Sequence, residues 1–238
     1  MSGTVNPALS PKPRSNQKMN TNDIVKRLKQ LDTPAVSDAL DRLELPGRVT
    51  HLRRLTTEQR IAGQVLTVKL GTGEALEGSP RHLCTSAVEA ANPGDILVIE
   101  QRSGVEAAGW GGILSNGAKV RGIAGIICDG PVRDVDESRD LNFPVFADRA
   151  VPTTARGRIV EEAFNEAVSV GDATVTPGDY VLADGSGICF LIAGRTEEIL
   201  EVAEMVAKRE ALMTKAVLAG EPISQVMGAD YEDMLRKD

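Results

Sequence analysis

The chain has 238 residues, 42% hydrophobic and 26% charged, the balance of an ordinary globular protein of one large domain or two small ones. A formal charge of −7 excludes broad nucleic-acid binding, because no basic surplus displaces phosphate counterions, while a local arginine can still hold a small anion. Three scattered cysteines (Cys84, Cys128, Cys189), two histidines (His51, His82) and no CxxC spacing exclude a thiolate or imidazole zinc site.

Reduced, buried cysteines point to a cytoplasmic protein. No apolar run approaches the roughly 20 residues of a membrane span. The opening MSGTVNPALSPKPRSNQ lacks a basic cap, an apolar stretch and a cleavage site. Residues 1–20 therefore read as a disordered tail before a single domain over 21–238.

In chain order, Ile24, Val25, Leu28 and Leu31 recur at helical spacing over 21–31. A second helix starts at Thr33-Pro34, with Thr33 as N-cap and the proline at the first helical position, and stops before Pro46-Gly47. Gly63-Gln-Val-Leu-Thr-Val-Lys-Leu70 alternates and is rich in β-branched residues, which predicts a strand. Residues 80–91 read as a helix. Ile96–Ile99 and Ala124–Cys128 are short apolar runs between turn signals, as in buried strands.

Between those runs lies Gly109-Trp-Gly-Gly-Ile-Leu-Ser115, predicted to lead into a helix through Lys119. Asp129-Gly130-Pro131 reads as a turn, followed by a short helix over 135–141 and a strand over 144–147. Val168–Val175 forms one or two strands around Gly171-Asp172. Tyr180–Ala183 and Ile188–Ile192 flank a hairpin turn, Asp184-Gly-Ser-Gly187. Thr196–Leu218 is a long helix, with Glu197 and Lys215 placed to suit its dipole. The last residues read as a short polar helix or a fraying tail. Asn-Pro93-Gly-Asp95 and Thr-Pro177-Gly-Asp179 repeat one phrase, whose aspartates are expected to bond the turn backbone. The strand–helix alternation argues for a mainly parallel sheet in mid-chain.

The chemistry concentrates between Gly109 and Asp134. Both the glycine loop and the turn after Cys128 leave the carboxyl ends of strands, the edge where open α/β sheets bind ligands. Glycines 109, 111 and 112 let backbone N–H groups face an anion. Asp134 offers hard oxygen to a magnesium-type ion, and Arg133 offers a planar fork to a carboxylate or enolate. The bland alternative makes Asp134 a helix cap and Arg133 a surface ion pair of about 0–1 kcal/mol. Trp110 walls the pocket or sits in a buried interface, and His82 reads as a surface or satisfied histidine. Gly71-Thr-Gly73 has Leu76 where the third glycine of a nucleotide loop belongs.

The run Gly111–Asp134, with Phe143-Pro-Val-Phe146 and Pro177–Gly187, resembles the ribonuclease-activity-regulator A-like family, which includes 4-hydroxy-4-methyl-2-oxoglutarate aldolases. The likeness extends from about Thr33 to about residue 195. It implies an α/β domain with a layered mixed sheet flanked by helices, a swivelling-phosphohistidine-domain-like α/β/α sandwich. It also implies that Asp134 binds the metal, Mg2+ or Mn2+, and that Arg133 contacts substrate and stabilises the enolate. Gly111, Gly112, Ile113 and Leu114 match the loop that holds an oxo-acid carboxylate.

Members that only inhibit ribonuclease can lack the aspartate after the arginine; its presence favours an enzyme over a protein-binding regulator. The implied activity is that of a class II-type aldolase or decarboxylase on pyruvate-like 2-oxo-acids, 4-hydroxy-4-methyl-2-oxoglutarate or 4-carboxy-4-hydroxy-2-oxoadipate among them. Oxaloacetate decarboxylation is the expected side activity. The chain departs from the family at Gly112, where aldolases carry an acid that organises metal-bound water, which keeps an unfamiliar sugar-acid substrate open. The family's trimers or hexamers have sites at subunit interfaces, where Glu204 or Glu210 of a neighbour's C-terminal helix would complete the water shell.

Overall fold

In the computed structural model, the described residues are 20–75, 77 and 82–228. The tail expected over 1–20 and the last residues from 229 lie almost wholly outside them, as do 80 and 81 of the helix expected over 80–91.

Two helices open the domain, α1 (Thr21–Leu28) and α2 (Thr33–Arg42). The N-cap of α2 is Asp32 rather than Thr33, its side chain accepting from the Ala35 N–H at 3.0 Å. Thr33 is already helical and its hydroxyl is used elsewhere, donating to Asp184 Oδ1 at 2.6 Å. The short strands β1 (Arg48–Val49) and β2 (Arg53–Arg54) lead to β3 (Ile61–Gly71). Then come α3 (Thr85–Ala90), β4 (Ile96–Glu100), α4 (Gly112–Arg121), β5 (Gly125–Val132), α5 (Val135–Asp140) and β6 (Val145–Ala150). The later chain adds β7 (Val160–Phe164), β8 (Val168–Val170), β9 (Ala173–Val175), β10 (Tyr180–Ala183) and β11 (Ile188–Leu191). A 3-10 turn leads into α6 (Thr196–Leu218) and the single turn α7 (Ile223–Val226).

The main sheet runs β1-β11-β10-β3-β4-β5-β6-β2, with β7 paired to β3. Strands β3 to β6 are mutually parallel, and β10, β11 and β2 add antiparallel edges. The apolar runs stay apolar because both faces are covered. Leu97 and Ile99 of β4 pack with Ala87, Leu114 and Ala118 of α3 and α4, whereas Ile96 and Val98 face the opposite core. That second core joins Val98, Ile127 and Phe146 to Val170 and Val175 of the β8–β9 hairpin and to Val181 and Phe190. One core spanning both ends of the sheet means the sheet curls on itself. Helices α1, α2 and α6 cover the outer face of β10 and β11 through Leu28, Leu40, Leu182, Leu191 and Leu200. Among the described residues no helix is long and apolar enough to cross a membrane.

The repeated turn phrase behaves as expected. Asp95 accepts from the Asn92 N–H at 2.7 Å and Asp179 from the Thr176 N–H at 2.9 Å, with Gly94 and Gly178 at φ of 91° and 92°. The expected turn at Asp129-Gly-Pro131 does not form, because β5 continues to Val132 through a register irregularity between Cys128 and Pro131. A bulge is where a strand tolerates proline. Asp129 is buried there, bonded to His51 Nε2 at 2.8 Å and to the Gly171 N–H at 2.7 Å.

Asp184 ties the β10–β11 turn to the start of α2. Burial pulls its pKa up, but the Thr33 hydroxyl and N–H, the Ser186 N–H and Arg60 outweigh that and hold it below the ordinary aspartate value. A lowered folded pKa contributes stability above the unfolded value of about 3.9 and loses it as pH falls through the folded value. Thr33→Val should therefore cost about 1.5–3 kcal/mol at neutral pH, the range for a hydrogen bond to a charged group. The difference from wild type in urea unfolding should shrink below about pH 4 as the carboxylate protonates.

Candidate active site

A cavity of about 470 Å3 opens beside the start of α4, lined by Trp110–Leu114, Arg133, Asp134 and Glu137 on one side and His82, Leu83, Thr85 and Thr154–Arg156 on the other. All six residues singled out in the sequence, Gly111, Gly112, Ile113, Leu114, Arg133 and Asp134, meet here. Parallel pairing of β4 with β5 brings this about. The loop after β4 and the end of β5 emerge at the same edge of the sheet, and the Arg133 N–H donates to the Trp110 carbonyl at 3.0 Å.

Asp134 does not act as a helix cap. It stands at the N-cap position of α5 with φ 56° and ψ 40°, and its side chain makes no capping bond. Instead Oδ2 accepts from the Gly112 N–H at 2.9 Å and lies 3.4 Å from Arg133 Nε. A left-handed backbone at a non-glycine residue carries a cost of roughly 1–3 kcal/mol and tends to persist where a site needs it. Here it turns the carboxylate toward α4. Both side chains remain 38% exposed, so the pair is open to a ligand.

The first N–H groups of a helix have no helical partner. In α4 the Gly112 N–H goes to Asp134 and the Ser115 N–H to the Gly111 carbonyl, which leaves those of Ile113 and Leu114 for an anion. A Cβ at Gly111 would stand 2.9 Å from Asp134 Oδ2 and 3.3 Å from Arg133 Cγ and Nε, so a side chain there would displace the Arg133–Asp134 pair. Behind the loop, the Trp110 ring is buried and stacked on Phe143 at 6.5 Å, and its Nε1 donates to Ser115 Oγ, itself 2.9 Å from Ser138 Oγ. Trp110 is thus both pocket wall and core.

Three groups escaped the sequence reading. Glu137 looks like an ordinary first-turn acid of α5, yet it lines the cavity and takes a 2.7 Å hydrogen bond from Asn116 Nδ2. Arg156 comes from an irregular segment with no motif. His82, set aside as a surface residue, is exposed but stands at the cavity rim. Two residues on from His82, the Cys84 N–H donates to buried Glu161 at 2.6 Å, and Glu161 Oε1 has no partner among the described residues. Burial pushes the Glu161 pKa up against that hydrogen bond, and burial with Glu161 pushes up the Cys84 thiol. Cys128 is likewise buried with its pKa raised by burial, an inert core thiol as read from the sequence.

The helix carboxylates assigned to a neighbour's site have partners or neighbours in their own chain. Glu204 accepts from Arg27 at 2.6 and 2.8 Å. Glu210 lies near Asp38 and Asp32, and burial followed by those charges raises its pKa.

The residues present fit a magnesium-type ion. Asp134 keeps Oδ1 free of donors among the described residues and lines the cavity beside the first turn of α4. Such ions are commonly held by one or two carboxylates, with water and substrate oxygens completing the shell.

Comparison with known proteins agrees with the fold. A model of the RraA-like family, described as Aldolase/RraA, matches residues 33–190. A protein of Halalkalibacterium halodurans, provisionally named a 4-hydroxy-4-methyl-2-oxoglutarate aldolase, is 29% identical over 182 residues, 76% of this chain and 82% of that one. Among solved structures, an uncharacterised Pseudomonas syringae protein superposes with a TM-score of 0.78 at 24% identity, covering 87% of this chain and 98% of its own. Streptomyces coelicolor RraAS2, described as an unusual member of the RNase ES inhibitor RraA family, gives 0.73 at 22% identity over 81% and 97%.

Proposed function

The chain belongs to the RraA-like family, and on that premise we propose that it is a cytoplasmic, divalent-metal-dependent lyase acting on pyruvate-like 2-oxo-acids, assembled as a trimer or hexamer. The observation that carries the reading is the convergence of Arg133, Asp134 and the first turn of α4 on one cavity. A relative provisionally named as a 4-hydroxy-4-methyl-2-oxoglutarate aldolase supports it.

Cleaving the bond beyond the α-carbon of such a substrate leaves a pyruvate enolate, whose new negative charge sets the barrier. The N–H groups of Ile113 and Leu114 would bind the substrate carboxylate, as helix N-termini bind anions. Arg133 would set its planar guanidinium against the keto oxygen and stabilise the charge that grows there. Asp134, fixed by the Gly112 N–H, would hold the metal; when bound, Mg2+ or Mn2+ supplies Lewis acidity at the oxo-acid oxygens. Oxaloacetate decarboxylation passes through the same enolate and is the expected side activity.

A pyruvate-release assay with magnesium or manganese, across branched 4-hydroxy-2-oxo-diacids and oxaloacetate, tests this reading. Turnover that disappears with chelator and is inhibited by oxalate, a planar mimic of the enolate, is the expected result. No turnover on any substrate, with no oxalate binding, would overturn it in favour of a protein-binding regulator of ribonuclease activity.

A further inference from the structure

We propose that Glu137 is the proton-transferring group of this site, its carboxylate lying in the space that a side chain at Gly112 would take. The inference rests on the lyase reading above and adds to it the group that handles the substrate hydroxyl proton.

A Cβ built on Gly112 would overlap Glu137 Oε2, with Oε1 next nearest after the carboxyl carbon. The carboxylate is therefore seated against the backbone of the first residue of α4, the residue whose N–H Asp134 accepts. Its orientation is fixed on one side only. Asn116 Nδ2 donates to Oε1 at 2.7 Å and to the Gly112 carbonyl at 3.0 Å, bracing the carboxylate from one turn further along α4. Oε2 has no hydrogen-bond partner among the described residues.

At helix position N3, a glutamate ordinarily reaches back to the N-cap N–H. Glu137 leaves that role and crosses to α4 instead. The other titratable groups on the cavity wall are less suited to take a proton. Asp134 is committed to the Gly112 N–H and Arg133, the two arginines offer donors but no acceptor, and His82 stands across the cavity beside Leu83.

In the retro-aldol step, the proton of the substrate's C4 hydroxyl passes to Glu137 Oε2 and the O–H electron pair becomes the new carbonyl π bond. The C3–C4 bond breaks, and its pair forms the C2–C3 double bond of the enolate, with the charge on the C2 oxygen. Glu137 then returns the proton to C3, giving the pyruvate-type product and restoring the carboxylate. No net proton is gained or lost.

Oxaloacetate supplies the control. It loses carbon dioxide to give the same enolate but has no hydroxyl proton to remove, so Glu137 receives none and C3 is protonated by water. Glu137→Gln should thus lower retro-aldol kcat by about 100-fold or more, the range for a positioned general base. Its oxaloacetate decarboxylation should stay within about 3-fold and its oxalate affinity within about 2-fold of wild type, because Arg133, Asp134 and the α4 N–H groups are unchanged. Asn116→Ala, which frees the carboxylate without removing it, should give a smaller loss confined to the same reaction.

If Glu137→Gln keeps full retro-aldol turnover, or if both reactions and oxalate binding fall together, Glu137 is only a brace for α4 and the inference is overturned. A wild-type protein that decarboxylates oxaloacetate but cleaves no 4-hydroxy-2-oxo-acid also overturns it while leaving the enolate chemistry standing. A wild type inactive in both overturns the lyase reading itself.

Discussion

Asp134→Ala is expected to remove metal-dependent turnover and weaken metal binding while leaving the fold intact. The side chain makes no capping bond in α5, and its one backbone hydrogen bond among the described residues, from the Gly112 N–H, is worth about 1.5–3 kcal/mol at most, as a bond to a charged group. Relief of the left-handed strain does not follow, since alanine at φ 56° is no easier than aspartate. A modest fall in melting temperature with complete loss of activity is therefore the signature.

Arg133→Lys should behave differently. Lysine keeps the charge but loses the planar two-point contact, so turnover should fall steeply and oxalate should bind poorly, while metal affinity stays near wild type. Isothermal titration with Mn2+ and with oxalate separates the two variants. Equal damage to metal and oxalate binding in both would mean that the pair acts as a structural unit, and the assignment of separate roles would fail.

That pair was legible in the sequence because its chemistry is local: two adjacent residues after an apolar strand, downstream of a glycine loop. The parallel core was legible for a related reason. Ile96–Ile99 and Ala124–Cys128 are apolar at every position, which only a strand covered on both faces requires, and both became β4 and β5. What failed was whatever depends on distant partners. Asp129-Gly-Pro131 carries turn residues, yet the burial of Asp129 against His51 and Gly171 keeps it in β5.

Strand β7, Val160-Glu-Glu-Ala-Phe164, was missed because its glutamates hide its pattern. Glu161 points inward to Cys84, and Glu162 folds over Gly71 and accepts from the Gly73 N–H at 2.8 Å. Thr33 was read as a cap from its residue type, but Asp32 one position earlier takes that role because Asp184 claims the Thr33 hydroxyl. Glu137 gave no signal of its own. Its meaning appears only when α5 is set against α4, where the absent side chain at Gly112 becomes room for its carboxylate.

Trp110→Ala should cost the most stability of any single change near the site. The ring is 1% exposed, packs in the core shared by α3, α4 and β5, and stacks on Phe143 with an interplanar angle of 17°. Aromatics make up only 3% of the chain, so few large side chains remain nearby to fill the space. Truncating a buried aromatic to alanine costs about 3–5 kcal/mol, a large share of the roughly 5–15 kcal/mol that separates folded from unfolded chains.

Trp110→Phe separates packing from hydrogen bonding. It retains most of the apolar volume but removes the Nε1 donor to Ser115, at the head of the Ser115–Ser138 link between α4 and α5. Because the first turn of α4 lines the cavity and α5 follows directly on Asp134, loosening that link should raise KM for the oxo-acid before it lowers the unfolding midpoint by much. The phenylalanine variant is expected to lose about 1–2 kcal/mol in urea unfolding, with a several-fold weaker oxalate affinity. A phenylalanine variant with wild-type oxalate affinity would show that the serine link carries no positional information to the site, and that Trp110 serves the core alone.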